Sequence, residues 1–268
     1  MYNVCKPKSE ILKTYISEFT LLKKENFKPI SYLAFPHNNS SIAFLSKATV
    51  ILNNNKLTIN QSPNNTQSII ALGKYLHPVQ LFYSDAVDEI GIIFTPTGLN
   101  YFFKQNFKQI AGKPIQFVNN EIWTNFSKQL FNYPKQERIE LLEKFLLSQL
   151  QKKDLSTIEQ LTNILTNDLT IKVKDLALKT NLSPRTINRL FHTYLGRSPS
   201  AFKKIQRFRN AIEMKNNHNS LTEISLLNEY YDSAHFNHEF QELTNTNPTS
   251  FFNKVSKVGD KKFSYIFK

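Results

Sequence analysis

The chain has 268 residues, 40% of them hydrophobic, and a formal net charge of +13 at pH 7. That length supports one large domain or two ordinary ones with a true core, and no run of 18 apolar residues is present to span a membrane. The single cysteine, Cys5, excludes an internal disulfide and a cysteine-based zinc site. The opening "MYNVCKPKSE" holds no apolar core of a secretory signal, so a cytoplasmic setting is expected.

From about Ile30 to Phe94 the texture is that of strands. "ISYLAF", "SSIAFLSKATVIL", "KLTINQ", "SIIALGKYL", "VQLFYS" and "EIGIIF" are short apolar or alternating runs, separated by Asn- and Pro-containing turns. Such spacing predicts a small sandwich or barrel. Thr97 to Phe107 reads as helix. From Asn120 the period is helical: Ile122, Phe126 and Leu130 share one face, and Ile139, Leu142, Leu146 and Leu150 form a second stripe. That stripe, within residues 136–151, is a candidate for homodimer formation, with packing on the same chain as the alternative. Helices with short turns then continue to about Asn253, and no structure is expected in the tail "KVGDKKFSYIFK".

The positive charge suggests a polyanionic partner, but it divides almost evenly along the chain. Arginine does not. Of six arginines, only Arg138 precedes residue 152; Arg185, Arg189, Arg197, Arg207 and Arg209 fall within 25 residues. Arginine is the side chain suited to bidentate contacts with guanine edges and phosphate.

The C-terminal part also nearly repeats itself. Shifted by 49, Asn188 falls on Asn237, Phe191 on Phe240, Pro199 on Pro248 and Phe202 on Phe251. Each copy is a short helix, a turn and a longer helix. In the first, Asn181 suits a left-handed turn, Ser183 an N-cap and Pro184 the first helical position. Ile187, Leu190, Phe191 and Tyr194 then make a core stripe, leaving Arg185, Asn188, Arg189 and His192 on the other side. Two arginines and an asparagine on the first turns are what a major-groove reader needs. In the second copy Phe236, Phe240 and Leu243 are the expected core. Ser233, Ala234, Asn237 and His238 face outward, and Glu229 occupies the turn. Between the copies about 18 residues of helix span roughly 27 Å, against about 34 Å between successive major grooves. Lys203, Lys204 and Arg207 lie off that helix's apolar stripe. His37 and His77 are isolated, and His235 and His238 gather no further ligands, so neither metal nor cofactor is expected.

These residues resemble the AraC/XylS family of bacterial transcription regulators. The resemblance runs from Thr157 to Asn253 and is strongest in "LALKTNLSPRTINRLFHTYLGRSPSAFKKIQRFRNA", with "EISLLNEYYDSAHFNHEFQELTNTNP" fitting the second signature. It departs at Ser225, Glu229, His238 and Asn245, where the family commonly has Ala, Gly, Arg and Gly. By position, the resemblance makes Arg185, Asn188 and Arg189 the base-reading residues of the first helix-turn-helix, and Ser233, Ala234, Asn237 and His238 those of the second. "IIFTPTGLNYFF" is similar to a segment of the small β-rich domain that some such regulators carry for sensing a small molecule or for dimerisation.

The expected fold is therefore α+β with two domains. A β-rich sandwich or barrel-like domain occupies 1–119, linker helices 120–153, a double helix-turn-helix 154–253 and a basic tail 254–268. The expected function is non-enzymatic, sequence-specific binding of double-stranded DNA to regulate transcription, as activator or repressor. His192, Arg197, Lys203, Lys204 and Arg207 are the expected phosphate contacts. RNA polymerase and a small-molecule effector are the further partners considered, and no membrane is expected. The alternatives are a protein-interaction module with degenerate DNA binding, and an enzyme with an AraC-like regulatory segment.

Overall fold

The computed structural model describes residues 2–24, 29–62, 64, 66–85, 87–215, 220–258 and 263–267. The chain opens with β1 (Tyr2–Cys5), α1 (Glu10–Lys13) and β2 (Ile16–Lys24), ahead of the first strand the sequence predicted. The missed β2 neither alternates nor runs apolar: it carries the buried Glu18 and a register irregularity between Ile16 and Glu18. Then follow β3 (Ile30–Ala34), β4 (Ser41–Ser46), β5 (Ala48–Asn53), β6 (Lys56–Gln61), β7 (Ser68–Leu72), β8 (Val79–Tyr83) and β9 (Val87–Phe94). The run Ser41–Asn53 is two strands, because Lys47 takes a left-handed φ of 51° and turns the chain. The helix expected over Thr97–Phe107 is only a 3-10 turn, Gly98–Tyr101, followed by α2 (Phe107–Ala111) and β10 (Ile115–Phe117).

The strands form two sheets, in the orders β1-β2-β9-β4-β7-β10 and β3-β8-β6-β5, the latter extended at its β3 edge as described below. All described pairings are antiparallel except β6 with β8. The sheets close on a core of Ala43, Leu45, Ile59, Ile70, Leu81 and Tyr83. The first sheet is buried on its other face as well, where Ile42, Phe44, Ile69, Ile90 and Ile92 point. Burial on both faces explains why β4 and β7 read as continuous apolar runs rather than alternating ones.

Helices α3 (Glu121–Leu130) and α4 (Lys135–Gln149) cover that second face. Trp123, fully buried, stacks on Phe44 and Phe103, and Phe126 stacks on Phe145 at 3.8 Å between centroids. Ile122, expected on the buried face, is 57% exposed. Leu142 and Leu146 have no exposure and pack inside their own chain, with Ile139 and Leu150 against the same core. The stripe is therefore internal core, the alternative to a homodimer face that the sequence left open. Arg138 is buried in the same layer, its guanidinium 2.7 Å from Asp88 and donating to the Tyr133 carbonyl.

The helical part consists of α5 (Ser156–Asn167), α6 (Val173–Thr180), α7 (Pro184–Leu195), α8 (Pro199–Lys215), α9 (Leu221–Leu227), α10 (Ser233–Thr244) and α11 (Pro248–Lys254). Its first half continues the core of the first sheet: Leu161, Leu176, Ile187, Phe191 and Phe202 belong to the same cluster as Phe44 and Trp123. Its second half has a core of its own, Phe208, Ile212, Ile224, Phe236, Phe240 and Phe251, into which Phe35 inserts from the segment after β3. The tail is not structureless. β11 (Ser256–Val258) and β12 (Phe263–Phe267) form an antiparallel pair, and β12 adds to the edge of the second sheet through Tyr32, Leu33 and Ala34. Strand pairing there depends on the free edge of β3, about 230 residues earlier in the chain, which local sequence pattern does not reveal.

Candidate nucleic-acid interface

Each helix-turn-helix is built by local capping chemistry. Helix α6 ends at Asn181, whose φ of 54° turns the chain, and the Ser183 hydroxyl accepts the Thr186 N–H at 3.1 Å to start α7 on Pro184. Gly196, at φ 65°, closes α7. A Cβ there would lie 2.8 Å from the Phe107 ring, so the position needs glycine for both conformation and space. In the second copy Glu229 takes the left-handed φ of 60° at the turn, and Asp232 caps α10 by accepting the His235 N–H at 2.7 Å.

On α7, Ile187, Phe191 and Leu195 are buried, while Arg185, Arg189 and His192 are exposed. Asn188 is half-buried, its amide donating to the Pro184 carbonyl at 2.9 Å. On α10, Phe236, Glu239, Phe240 and Leu243 are buried, and Ser233, Ala234, Asn237 and His238 are exposed. The structure thus brings the seven expected base-reading residues onto the outward faces of two equivalent helices, joined by the 17-residue α8, about 25 Å long.

The expected phosphate contacts divide. His192 is exposed. Arg197 is not a surface cation: it is 3% exposed, and its guanidinium donates to the His37 carbonyl at 2.9 Å, to Asn38 Oδ1 at 3.2 Å and to the Gly73 carbonyl at 3.4 Å. Burial pulls its pKa down to about 10, which still leaves it charged at neutral pH, and these oxygens, with the Leu195 carbonyl at 3.4 Å, satisfy the charge. Lys203 Nζ donates to the Ile171 carbonyl at 2.6 Å, and burial holds its pKa below the usual lysine value. Lys204 pairs with Glu242. Arg207 forks onto Glu239, with Nη2 at 2.7 and 2.9 Å from the two carboxylate oxygens. Spacing marked Lys203, Lys204 and Arg207 as off the apolar stripe, and they are. What spacing could not show is that the segment before α6 and helix α10 lie against that side of α8.

Residues that sequence reasoning passed over hold the two parts together. Arg209 donates to the Pro36 carbonyl at 2.7 Å, Asn38 to the Phe202 carbonyl at 3.0 Å, and Asn100 to the Tyr194 carbonyl at 2.9 Å. Arg209 carried a signal, since it stands within the arginine cluster; Asn38 and Asn100 carried none.

Residues 176–254 match a family model described as a helix-turn-helix domain. The C-terminal region is a helix-turn-helix domain. Helix-turn-helix units commonly place their second helix in the major groove of DNA, and no helix among the described residues is long and apolar enough to cross a membrane. No curated protein matches the chain. Among solved structures it is similar to ToxT from Vibrio cholerae in a P21 crystal form, with 12% identity over 88% of this chain and 97% of that one, at a TM-score of 0.47. It is also similar to ToxT from V. cholerae O395, with 13% identity, 90% and 98% coverage and a TM-score of 0.45. Unsaturated-fatty-acid-bound ToxT from strain SCE256 gives 11% identity, 87% and 93% coverage and a TM-score of 0.45.

Proposed function

We propose that the chain regulates transcription by binding duplex DNA sequence-specifically, with α7 and α10 entering successive major grooves. The observation that carries this reading is α7 itself: two exposed arginines on its first two turns, over a face whose Ile187, Phe191 and Leu195 are buried. Arg185, Asn188 and Arg189 read bases in the first groove. Ser233, Ala234, Asn237 and His238 lie in the second, and His192 meets phosphate. RNA polymerase is the proposed protein partner, and a promoter reporter assay gives the sign of the effect. Gel-shift titration against random duplex DNA, followed by selection of bound sequences, tests the function. A retained consensus supports it, and binding no tighter to selected than to random DNA refutes it.

Control by a small-molecule effector is the accompanying reading, carried by a cavity of about 90 Å³ between the two parts. Tyr32, Phe35, His37, Tyr75 and Glu89 line it from the β domain, and Arg209 from α8. For scale, an engineered cavity of about 150 Å³ admits benzene. Its wall contains a half-buried carboxyl, Glu89, accepting from the Tyr83 hydroxyl at 2.8 Å, with desolvation raising its pKa to about 7. A ligand seated there touches β3, β4 and the helix that joins the readers. Melting-temperature shifts across a library of small metabolites test the site: a hit should raise the transition by mass action and lose that effect in Arg209→Met.

A further inference from the structure

The apolar face of α10 contains one charged residue, Glu239, between Phe236 and Phe240. A buried carboxylate costs stability unless it is paired and hydrogen-bonded, so its place in a core stripe calls for a partner. Arg207 of α8 supplies it. Nη2 lies 2.7 Å from Oε1 and 2.9 Å from Oε2, and Nε 3.2 Å from Oε2. The side chains are only 13% and 9% exposed. The Arg207 guanidinium also sits 5.3 Å from the centre of the buried Tyr230 ring. On the other side, His235 Nε2 lies 3.3 Å from Oε1 and its ring packs edge-on against Tyr230. Three elements therefore converge on one carboxylate: the helix joining the readers, the turn before α10, and the first turn of α10.

A planar fork of this kind is directional where apolar packing is not. It fixes the rotation of α10 about its own axis relative to α8. Among the described residues the first reader shows no such ion pair to α8: α7 meets α8 through an edge-to-face pair, Phe191 on Phe202. The exposed residues of α7 include arginines, whose charge-assisted bonds can hold a helix in a groove. Those of α10 are Ser233, Ala234, Asn237, His238, Gln241 and Glu242, with no arginine or lysine among them, so its orientation must come from the protein before DNA arrives. We propose that Glu239, held by Arg207, is the positioning residue of the second reader, setting α10 in register with the next major groove. This rests on the DNA-binding function proposed above, and it gives Arg207 an internal role in place of a phosphate contact.

The test is hydroxyl-radical footprinting of the full chain on its selected site, together with melting temperature. Replacing both partners by apolar residues, Arg207→Met with Glu239→Leu, leaves no unpaired buried charge, and such exchanges are often neutral or stabilising. The double variant should melt at or above the wild type, keep first-groove protection and lose protection one turn away. Its log affinity against log salt should flatten by about one for each phosphate that the second reader no longer neutralises. The exchanged pair, Arg207→Glu with Glu239→Arg, should restore second-groove protection. Both footprints intact in the apolar variant would overturn the positioning role and leave the DNA-binding function standing. Equal weakening of both footprints with a lowered melting temperature would make the pair merely structural. A wild-type chain that protects no DNA would overturn the function itself, and the proposal with it.

Discussion

The two helix-turn-helix units share a plan and differ in what holds them. The first is part of the large core: Ile187 and Phe191 belong to one cluster with Trp123, Phe44 and the first sheet, and Arg197 at its end is clamped by carbonyls of the β domain. The second has a separate aromatic core and reaches the β domain through Phe35, Arg209 and the strand β12. Their outward faces differ in the opposite sense. The rigidly embedded unit carries the arginines, and the outward face of α10 carries no arginine or lysine. Under the proposed function, the reader with arginines is fixed to the scaffold, and the reader without them is oriented by an internal ion pair.

The largest test of this contrast is the core itself. Phe191 and Phe240 are both fully buried, and Phe→Ala at such sites costs about 3–5 kcal/mol. Phe191→Ala should lower the melting transition of the whole chain, because its cluster runs into the β sheets. Phe240→Ala should create an earlier transition confined to the C-terminal half, followed by far-ultraviolet circular dichroism against tyrosine fluorescence. One common transition in both variants would mean that the second core is not separate.

Glu89 separates stability from reading. Its carboxyl titrates at about 7 in the folded chain, against an ordinary value of 4.5. Below 4.5 both folded and unfolded chains are protonated there, and through the window up to about 7 the folded chain holds the extra proton. Stability should therefore fall as pH rises through that window, by a few kcal/mol at most. Denaturant titrations from about pH 4.5 to about 7.5 should show this slope in the wild type and a flatter one in Glu89→Gln, with base discrimination unchanged in both grooves. Altered discrimination would tie this half-buried group to reading.

Much of this molecule was legible in the sequence. The repeat, the left-handed Asn181, the Ser183 cap and the outward faces of α7 and α10 all follow from local spacing and capping chemistry. So do β3 to β9, apart from the break at Lys47. What local pattern could not carry was anything decided by distant partners. β12 depends on the free edge of β3, and the burial of Arg197 on carbonyls of His37 and Gly73. The stripe of α4 was visible, but only the sheet beneath it shows that Leu142 and Leu146 are core. Glu239 was hidden for the same reason, since its partner stands 32 residues earlier, on another helix.

Smaller effects concern the reading faces. Arg189→Ala should cost about 1–3 kcal/mol on the selected site and relax preference at one base pair of the first groove. Competition with single-base variants of the site measures it; equal loss on specific and random DNA would make Arg189 a phosphate contact. Asn237→Ala with His238→Ala should cost less, about 0.5–1.5 kcal/mol as expected for neutral hydrogen bonds. It should leave the first-groove consensus unchanged.

The central claim, that one groove is read by charge-assisted bonds and the next is engaged mainly through a pre-set helix, is tested most directly by selecting sites from a random duplex library. The account predicts strong base preference across one major groove and little across the next, about 10 base pairs away. Equal information in both grooves would contradict it, and would mean that Ser233 and Asn237 read bases as sharply as Arg185 and Arg189.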